Sequence, residues 1–333
     1  MRVVINGFGR IGRNFLRTVL QDEQANKKLK VVAINVGPAK VDCIGHMFKY
    51  DTLMGTYPGV VSMNGDEMIV DDHRIKIVSE LDPQCLPWKQ LNIDWVVECT
   101  GKFTCRDGAE EHLAAGAKYV LISAPAEGED IAIVPGVNEK DFDKNKDHIV
   151  SLGSCTTNAF IPMLKVLHDS FGIEKGFMTT IHAYTNSQVL LDVNDTDLRR
   201  ARAAALNIIP TNTGAATMLC KVLPELDGRL SAMAVRVPLG KVSLIDLVFV
   251  AKRPLTVEAI HDVFTKAAQK TMNGIVDLTM EPLVSSDFDG NAHSVVIDGL
   301  LTQVNGQMGK LFGWYDNEWA YSTRLKDFLL YVE

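Results

Sequence analysis

Cys155 stands in the run Ser-Leu-Gly-Ser-Cys-Thr-Thr-Asn at 151–158, where an apolar strand should turn into a helix. A thiol at a helix N-terminus faces the positive end of the macrodipole, which lowers its pKa and favours the nucleophilic thiolate. Hydroxyls at Ser154, Thr156 and Thr157 surround it and suit an anion. His182 follows 27 residues later, at the end of a strand-like run. Cysteine and histidine on neighbouring segments suggest a nucleophile and its base. A lone cysteine is more often a small core residue, but the polar surroundings here set Cys155 apart. The other five cysteines, at 43, 85, 99, 105 and 220, form no Cys-x-x-Cys pair, so neither a metal site nor a redox motif is expected.

A second chemistry lies at the start of the chain. Gly7-Phe8-Gly9-Arg10-Ile11-Gly12 is a G-x-G-x-x-G run directly after an apolar strand. Gly7 permits the tight turn, Gly9 lets the backbone approach a pyrophosphate, and Gly12 allows close helix–strand packing. The helix that follows offers its first N–H groups to the phosphates. In such a Rossmann unit the second strand usually ends in a carboxylate about 20 residues further on. Here it ends Ile34-Asn35-Val36-Gly37-Pro38, and no carboxylate appears before Asp42. A carboxylate accepts from the 2′-hydroxyl of NAD and repels the 2′-phosphate of NADP, so Val36 removes that repulsion.

The elements that position these groups follow from pattern. Strands are expected at 3–6, 29–35, 95–99, 119–123 and 131–134, with helices at 11–20 and 107–115. This alternation predicts a mainly parallel sheet flanked by helices. After about residue 150, β-branched runs at 177–183, 229–237, 241–250, 294–298 and 311–314 follow closely on one another. They predict a mostly antiparallel sheet, with helices at 156–170, 213–223, 257–269 and 318–330. The fold class is therefore α/β: an N-terminal dinucleotide-binding domain at 1–153 and an α+β catalytic domain at 154–317. The 318–333 helix packs back on the first.

Composition narrows the function classes. Of 333 residues, 47% are apolar and 23% charged, and 34 Lys+Arg against 41 Asp+Glu give a net charge of −7. That balance excludes a disordered chain and argues against nucleic acid, whose phosphates want a basic face. No apolar run reaches the roughly 18–20 residues of a membrane span. The N-terminus goes straight into a strand with no signal peptide, so a reducing, cytoplasmic setting is expected.

Over essentially its full length the chain resembles the phosphorylating glyceraldehyde-3-phosphate dehydrogenase family. The matching stretches are INGFGRIGR at 5–13, KYDTLMG at 49–55, ISAPAEG at 122–128, SCTTN at 154–158 and HAYTN at 182–186. DLRRARAAALNIIPTNTGAA at 197–216, RVPLGKVSLIDL at 236–247 and WYDNEWAYS at 314–322 complete them. The resemblance implies that Cys155 attacks the aldehyde of glyceraldehyde 3-phosphate while His182 moves the proton. Hydride leaves to NAD or NADP, and inorganic phosphate cleaves the resulting thioester. It further implies that Thr185 and Arg236 bind the substrate phosphate. Ser154, Thr156, Thr213 and Gly214 bind the attacking phosphate, with Arg200 shared or nearby. Arg10, Ile11, Ser123 and Asn317 lie along the cofactor, and four subunits form a homotetramer. Erythrose-4-phosphate dehydrogenase and a non-catalytic scaffold keeping the fold are the alternatives. The intact Cys155, His182, Arg236 and Thr185 argue against the scaffold.

The chain departs from the family pattern at Val36 in place of Asp, at Gly153, at Ala159 in place of a second cysteine, and at Ala320 in place of Gly. In the 187–200 loop, Val193-Asn194 replaces the Leu-Pro of members that prefer NAD. By resemblance Asn194, and by the lost repulsion Val36, both favour acceptance of NADP; Lys40 is a candidate for the 2′-phosphate, although a lysine at a strand end is more often simply solvated.

Overall fold

A computed structural model describes residues 1–333, in two compact units. The first comprises Met1–Ile133, Glu139–Gly153 and Ser322–Glu333. Its strands are β1 (Arg2–Asn6), β2 (Lys30–Asn35), β3 (Val61–Asn64), β4 (Glu67–Val70), β5 (His73–Val78), β6 (Trp95–Glu98), β7 (Tyr119–Ile122), β8 (Ile131–Ala132) and β9 (Ile149–Ser151). They form one sheet in the order β3-β4-β5-β2-β1-β6-β7-β9-β8. From β5 to β8 every pairing is parallel. Strand β6 is buried at every position, as a strand with both faces covered must be. Helices α1 (Arg10–Leu20), α2 (Glu23–Lys28), α3 (Ile44–Lys49) and α4 (Arg106–Ala114) connect the strands.

An antiparallel meander, β3-β4-β5, extends the sheet beyond the strands expected from pattern. Its signal was present: Gly65-Asp66 is the two-residue loop between the paired Asn64 and Glu67, and Gly65 has φ +62°. Glycine at the first of two loop residues is a hairpin signal because the tight hairpin turn needs positive φ there. The meander matters for function because β5 lies directly beside β2, with Val36 N donating to Val78 O at 2.9 Å.

The second unit comprises Val134–Asn138 and Ser154–Tyr321. Val134–Asn138 thus leaves the span assigned above to the first domain. The unit holds α5 (Cys155–Phe171), β10 (Ile173–Ala183), β11 (Ile209–Thr211), α6 (Ala215–Val222), β12 (Leu230–Val237), β13 (Ser243–Ala251), α7 (Val257–Gln269), β14 (Val276–Thr279), β15 (Val295–Asp298), β16 (Gln303–Asn305) and β17 (Met308–Tyr315). The sheet order is β11-β12-β10-β13-β17-β15-β14, with β16 on β17. Pairing is mostly antiparallel, but β10–β12 and β14–β15 are parallel. In β13, Ile245, Leu247 and Phe249 are fully buried while Leu244, Asp246 and Val248 are half-exposed, the period-two alternation of a sheet with one covered face.

Helix α8 (Trp319–Val332) starts in the second unit and passes at Ser322 into the first. There Phe328 meets Trp95 edge-on at 5.8 Å and Phe142 at 5.6 Å, and Lys326 Nζ bonds Asp22 at 2.5 Å. No helix is long and apolar enough to cross a membrane.

Candidate active site

Helix α5 begins at Cys155 because Ser154, in extended conformation, caps it: the Ser154 hydroxyl accepts from Thr157 N at 3.1 Å. Gly153, with φ +62°, makes the sharp turn into the cap, a conformation a Cβ would strain. His182 is the penultimate residue of β10. Arg236 is its parallel neighbour on β12, since the register pairs His182 with Arg236 directly. The two side chains therefore stand side by side at the same end of adjacent strands.

Cys155 Sγ lies 3.4 Å from His182 Nε2. The other ring nitrogen, Nδ1, is 2.6 Å from Ala183 O and 2.6 Å from an Arg236 guanidinium nitrogen, which also donates to Ala183 O at 3.0 Å. Guanidinium can only donate, so Nδ1 cannot both donate to Ala183 and accept from Arg236. With its proton on Nδ1 toward the carbonyl, the ring presents the bare Nε2 to the thiol, the form a base needs.

Burial, and after it the Arg236 charge, lowers the His182 pKa to about 3. Burial pushes the Cys155 thiol up, while Arg236 and the N–H groups of the helix start pull it down. The lowering expected from the helix N-terminus alone is thus outweighed, because desolvation penalises an isolated thiolate more than one helix end repays. Passing the proton from sulfur to nitrogen keeps the pair neutral as a whole, so burial opposes that transfer less than it opposes charging either group alone.

Around this pair the remaining side chains fall into place unevenly. Thr156 Oγ1 lies 3.0 Å from the Tyr315 hydroxyl, which also lies 2.8 Å from Thr180 Oγ1. The Tyr315 ring is edge-on to His182 at 6.0 Å. Arg200 Nε donates to Thr211 Oγ1 at 2.8 Å, and its charge bears on Arg236. Arg236 itself pairs with no carboxylate, whereas Arg200 Nε also lies 3.5 Å from Asp197 Oδ2, so Arg236 is the cation left open to an anion. Thr185 Oγ1 lies 2.9 Å from Ser187 Oγ, and Thr213 Oγ1 accepts from Ala215 N at 3.3 Å beside Gly214, the cap of α6. Asn317 is buried, its Oδ1 accepting from Ser243 Oγ at 3.1 Å, and Ser243 Oγ accepts from Ala183 N at 3.1 Å. Fully buried Asp316 accepts from Glu318 N, Trp319 N and Gly290 N, which holds the 315–317 turn. Asn194 is exposed on its loop.

Tyr315 and Ser243 were not singled out from the sequence. Tyr315 lies inside WYDNEWAYS and carried a signal as the only hydroxyl-bearing aromatic there before the turn. Ser243 carried none, being one more serine at a strand start.

The glycine motif belongs to the first unit. Gly7 has φ +94°, and a Cβ there would come within 2.7 Å of Thr100 N. A Cβ on Gly12 would come within 2.3 Å of Gly7 O, so helix and turn pack as closely as backbone allows. At Gly9 a Cβ would meet nothing within 4 Å, and no side chain caps α1. The first turn of α1 therefore faces open space next to Arg10 and Ile11, a fit for the pyrophosphate of a dinucleotide. Val36 is buried at the end of β2, and Ser123 N bonds Glu98 O at 3.0 Å.

Sequence comparison matches residues 1–106 to the glyceraldehyde 3-phosphate dehydrogenase NAD binding domain and residues 154–317 to the C-terminal domain of the same family. Glyceraldehyde-3-phosphate dehydrogenase 2 of Bacillus subtilis (strain 168) is 47% identical over 333 residues, covering 100% of this chain and 96% of the relative. The Geobacillus stearothermophilus enzyme is also 47% identical, with 100% and 98% covered. The plasmid-encoded enzyme of Cupriavidus necator is 48% identical over 330 residues, with 98% and 97% covered.

Proposed function

The chain belongs to the glyceraldehyde-3-phosphate dehydrogenase family, and from that premise we propose that it oxidises glyceraldehyde 3-phosphate with inorganic phosphate to 1,3-bisphosphoglycerate, reversibly, through a thioester on Cys155. The 3.4 Å contact of Cys155 Sγ with His182 Nε2, beside Arg236, carries the reading. His182 Nε2 takes the thiol proton as sulfur attacks the aldehyde carbon, and returns it to the oxyanion to give a hemithioacetal. It takes that hydroxyl proton again as hydride leaves the carbon, which forms the thioester. Bound NAD supplies the hydride acceptor. Phosphate then adds to the thioester carbon, the C–S bond breaks, and His182 returns its proton to the departing sulfur.

Thr185 and Arg236 hold the substrate phosphate. Ser154, Thr156, Thr213 and Gly214 hold the attacking one, with Arg200 shared or nearby. Ser154 remains suited to this although it caps α5, since a hydroxyl oxygen can accept from Thr157 N while its own proton is donated elsewhere. Asn317, fixed by Ser243, orients the nicotinamide amide.

NADP is accepted alongside NAD. Val36 brings no charge to the end of β2, and the nearby Glu80 carboxylate is already turned onto Leu81 N and Asp82 N. Asn194 supplies a small polar group from the loop. Initial rates with glyceraldehyde 3-phosphate and phosphate test both statements. Turnover is expected with either cofactor, with kcat/KM for NADP within about tenfold of NAD, because one removed charge repulsion is worth about 1 kcal/mol. NADP a thousandfold worse would remove the dual specificity, and no turnover with either cofactor would remove the reaction.

The assembly is a homotetramer in the cytoplasm. Leu190, Leu191 and Leu198 on the 184–203 loop, Leu206 and Ile208 after it, and Phe177 on the uncovered sheet face are all more than 70% exposed, apolar area that a second copy would bury. Light scattering should give four chain masses. A monomer would take away the reading of Asn194 as a contact to a neighbouring subunit's cofactor.

A further inference from the structure

We propose that Glu98 is a positioning residue that sets the direction of the amide groups shaping the dinucleotide cradle. The proposal rests on the reading that the first unit binds NAD. Glu98 ends β6 and is 1% exposed, yet no lysine or arginine pairs with it. Its Oε1 accepts from Thr100 N at 2.6 Å and from the Thr100 hydroxyl. Its Oε2 accepts from Asn6 Nδ2 at 2.5 Å and lies 3.3 Å from His112 Nε2.

The direction of each donor is determined. The Trp88 indole N–H, which can only donate, meets His112 Nδ1 at 3.1 Å, so Nδ1 is bare and the ring proton sits on Nε2, toward Glu98. Asn6 Nδ2 also lies 3.3 Å from that Nε2, but two donors make a contact and not a bond. Four donors thus converge on one acceptor-only group.

The consequence passes along the sheet. With its NH2 toward Glu98, Asn6 must turn Oδ1 toward Asn35, whose Nδ2 donates to it at 2.7 Å and to Glu80 O at 2.9 Å. Asn35 Oδ1 then accepts from Gly37 N at 3.2 Å and Glu80 N at 3.0 Å. One carboxylate therefore orients two amides across β6, β1 and β2, whose carboxyl ends are where a dinucleotide sits. Its effect reaches the glycine turn twice, through Asn6 before Gly7 and through Thr100 packed against Gly7. It reaches the ribose corner through Gly37, next to Val36.

Glutamine at 98 would fit by shape but not by direction. Its NH2 would face either the Thr100 donors or those of Asn6 and His112. Reversing Asn6 to relieve the second case sets its NH2 against that of Asn35. Reversing Asn35 in turn leaves Gly37 N and Glu80 N facing a donor. Every arrangement leaves at least one buried or half-buried N–H of the network facing a donor.

The test is NAD affinity of the full chain by calorimetry, with iodoacetamide alkylation of Cys155 without NAD as the control on the second unit. Glu98→Gln should weaken NAD about tenfold or more, as loss of a hydrogen bond to a buried charge does, while the alkylation rate stays within about twofold. If Glu98→Gln does not fold, Thr100→Val and Thr100→Ser decide. Valine loses a donor to Glu98 and should weaken NAD several-fold, whereas serine keeps both donors and should bind like the unaltered chain. A merely structural role would lower the melting temperature of these variants without moving the affinity of the folded protein. Wild-type affinity in folded Glu98→Gln, or equal affinity of the valine and serine variants, overturns the proposal. Failure of the unaltered chain to bind NAD would instead refute the dinucleotide reading on which it stands.

Discussion

Cys155→Ala is expected to lower phosphorylating turnover by at least about 10⁴-fold, since removing a nucleophile leaves only binding and electrostatic contributions. Alanine keeps the helix start, because the cap is Ser154 and its bond to Thr157 N does not involve the thiol. NAD affinity should be unchanged, as the glycine turn and the Glu98 cluster lie in the first unit. Retention of more than 1% of the rate in the variant would mean that another group carries the acyl intermediate. The remaining thiols give that alternative little support. Cys85 is exposed but Asp82 and Glu80 push its thiol up; Cys220 lies against Asp227 and is raised too; burial pushes Cys99 up to about 12. Cys43 and Cys105 are exposed. Access alone would favour Cys43, Cys85 and Cys105 for alkylation, so fast, selective modification of the half-buried Cys155 has to come from His182 and Arg236.

His182→Asn should cost about 10²–10⁴-fold in turnover, the usual worth of a general base, with a smaller effect on NAD affinity. The pH dependence of alkylation distinguishes loss of the base from general damage. The His182 pKa is depressed to about 3 by burial and by Arg236, so the ring remains a base well below the ordinary value near 6.5. Sulfur alkylation in the unaltered chain should therefore not fall through pH 7 to 6, where an unperturbed histidine would be protonated. In His182→Asn no base takes the proton. The rate should then follow ionisation of a thiol that burial raises above its ordinary range, climbing about tenfold per pH unit from pH 6 to 9. Parallel profiles for the two proteins would show that His182 does not assist Cys155.

Much of the cofactor end was legible because its determinants are local. The roles of Gly7 and Gly12 follow from a turn and a helix start within six residues, and the 2.7 and 2.3 Å approaches that a Cβ would make at them express those same constraints. Parallel topology followed from strand–helix alternation. The first hairpin of the β3-β4-β5 meander is equally local, marked by the Gly65-Asp66 loop. The direction of the Cys155 pKa shift was misjudged for a different reason. The helix end is visible in sequence, but burial depends on what the rest of the chain places over the thiol.

The sequence by itself determined the residue types of the chemistry: a thiol at a helix start, an imidazole at a strand end, and a glycine turn before a helix. Tertiary structure alone decided what each of them touches. Arg236 stands beside His182 only because β10 and β12, 54 residues apart at these positions, run parallel in that register. Tyr315 joins Thr156 to Thr180 across 159 and 135 residues, and Glu98 reaches Asn6 across 92. Periodicity and capping act over a few residues, so they are written along the chain. A hydrogen bond across a sheet depends on strand order and register, which emerge only when the whole core is packed.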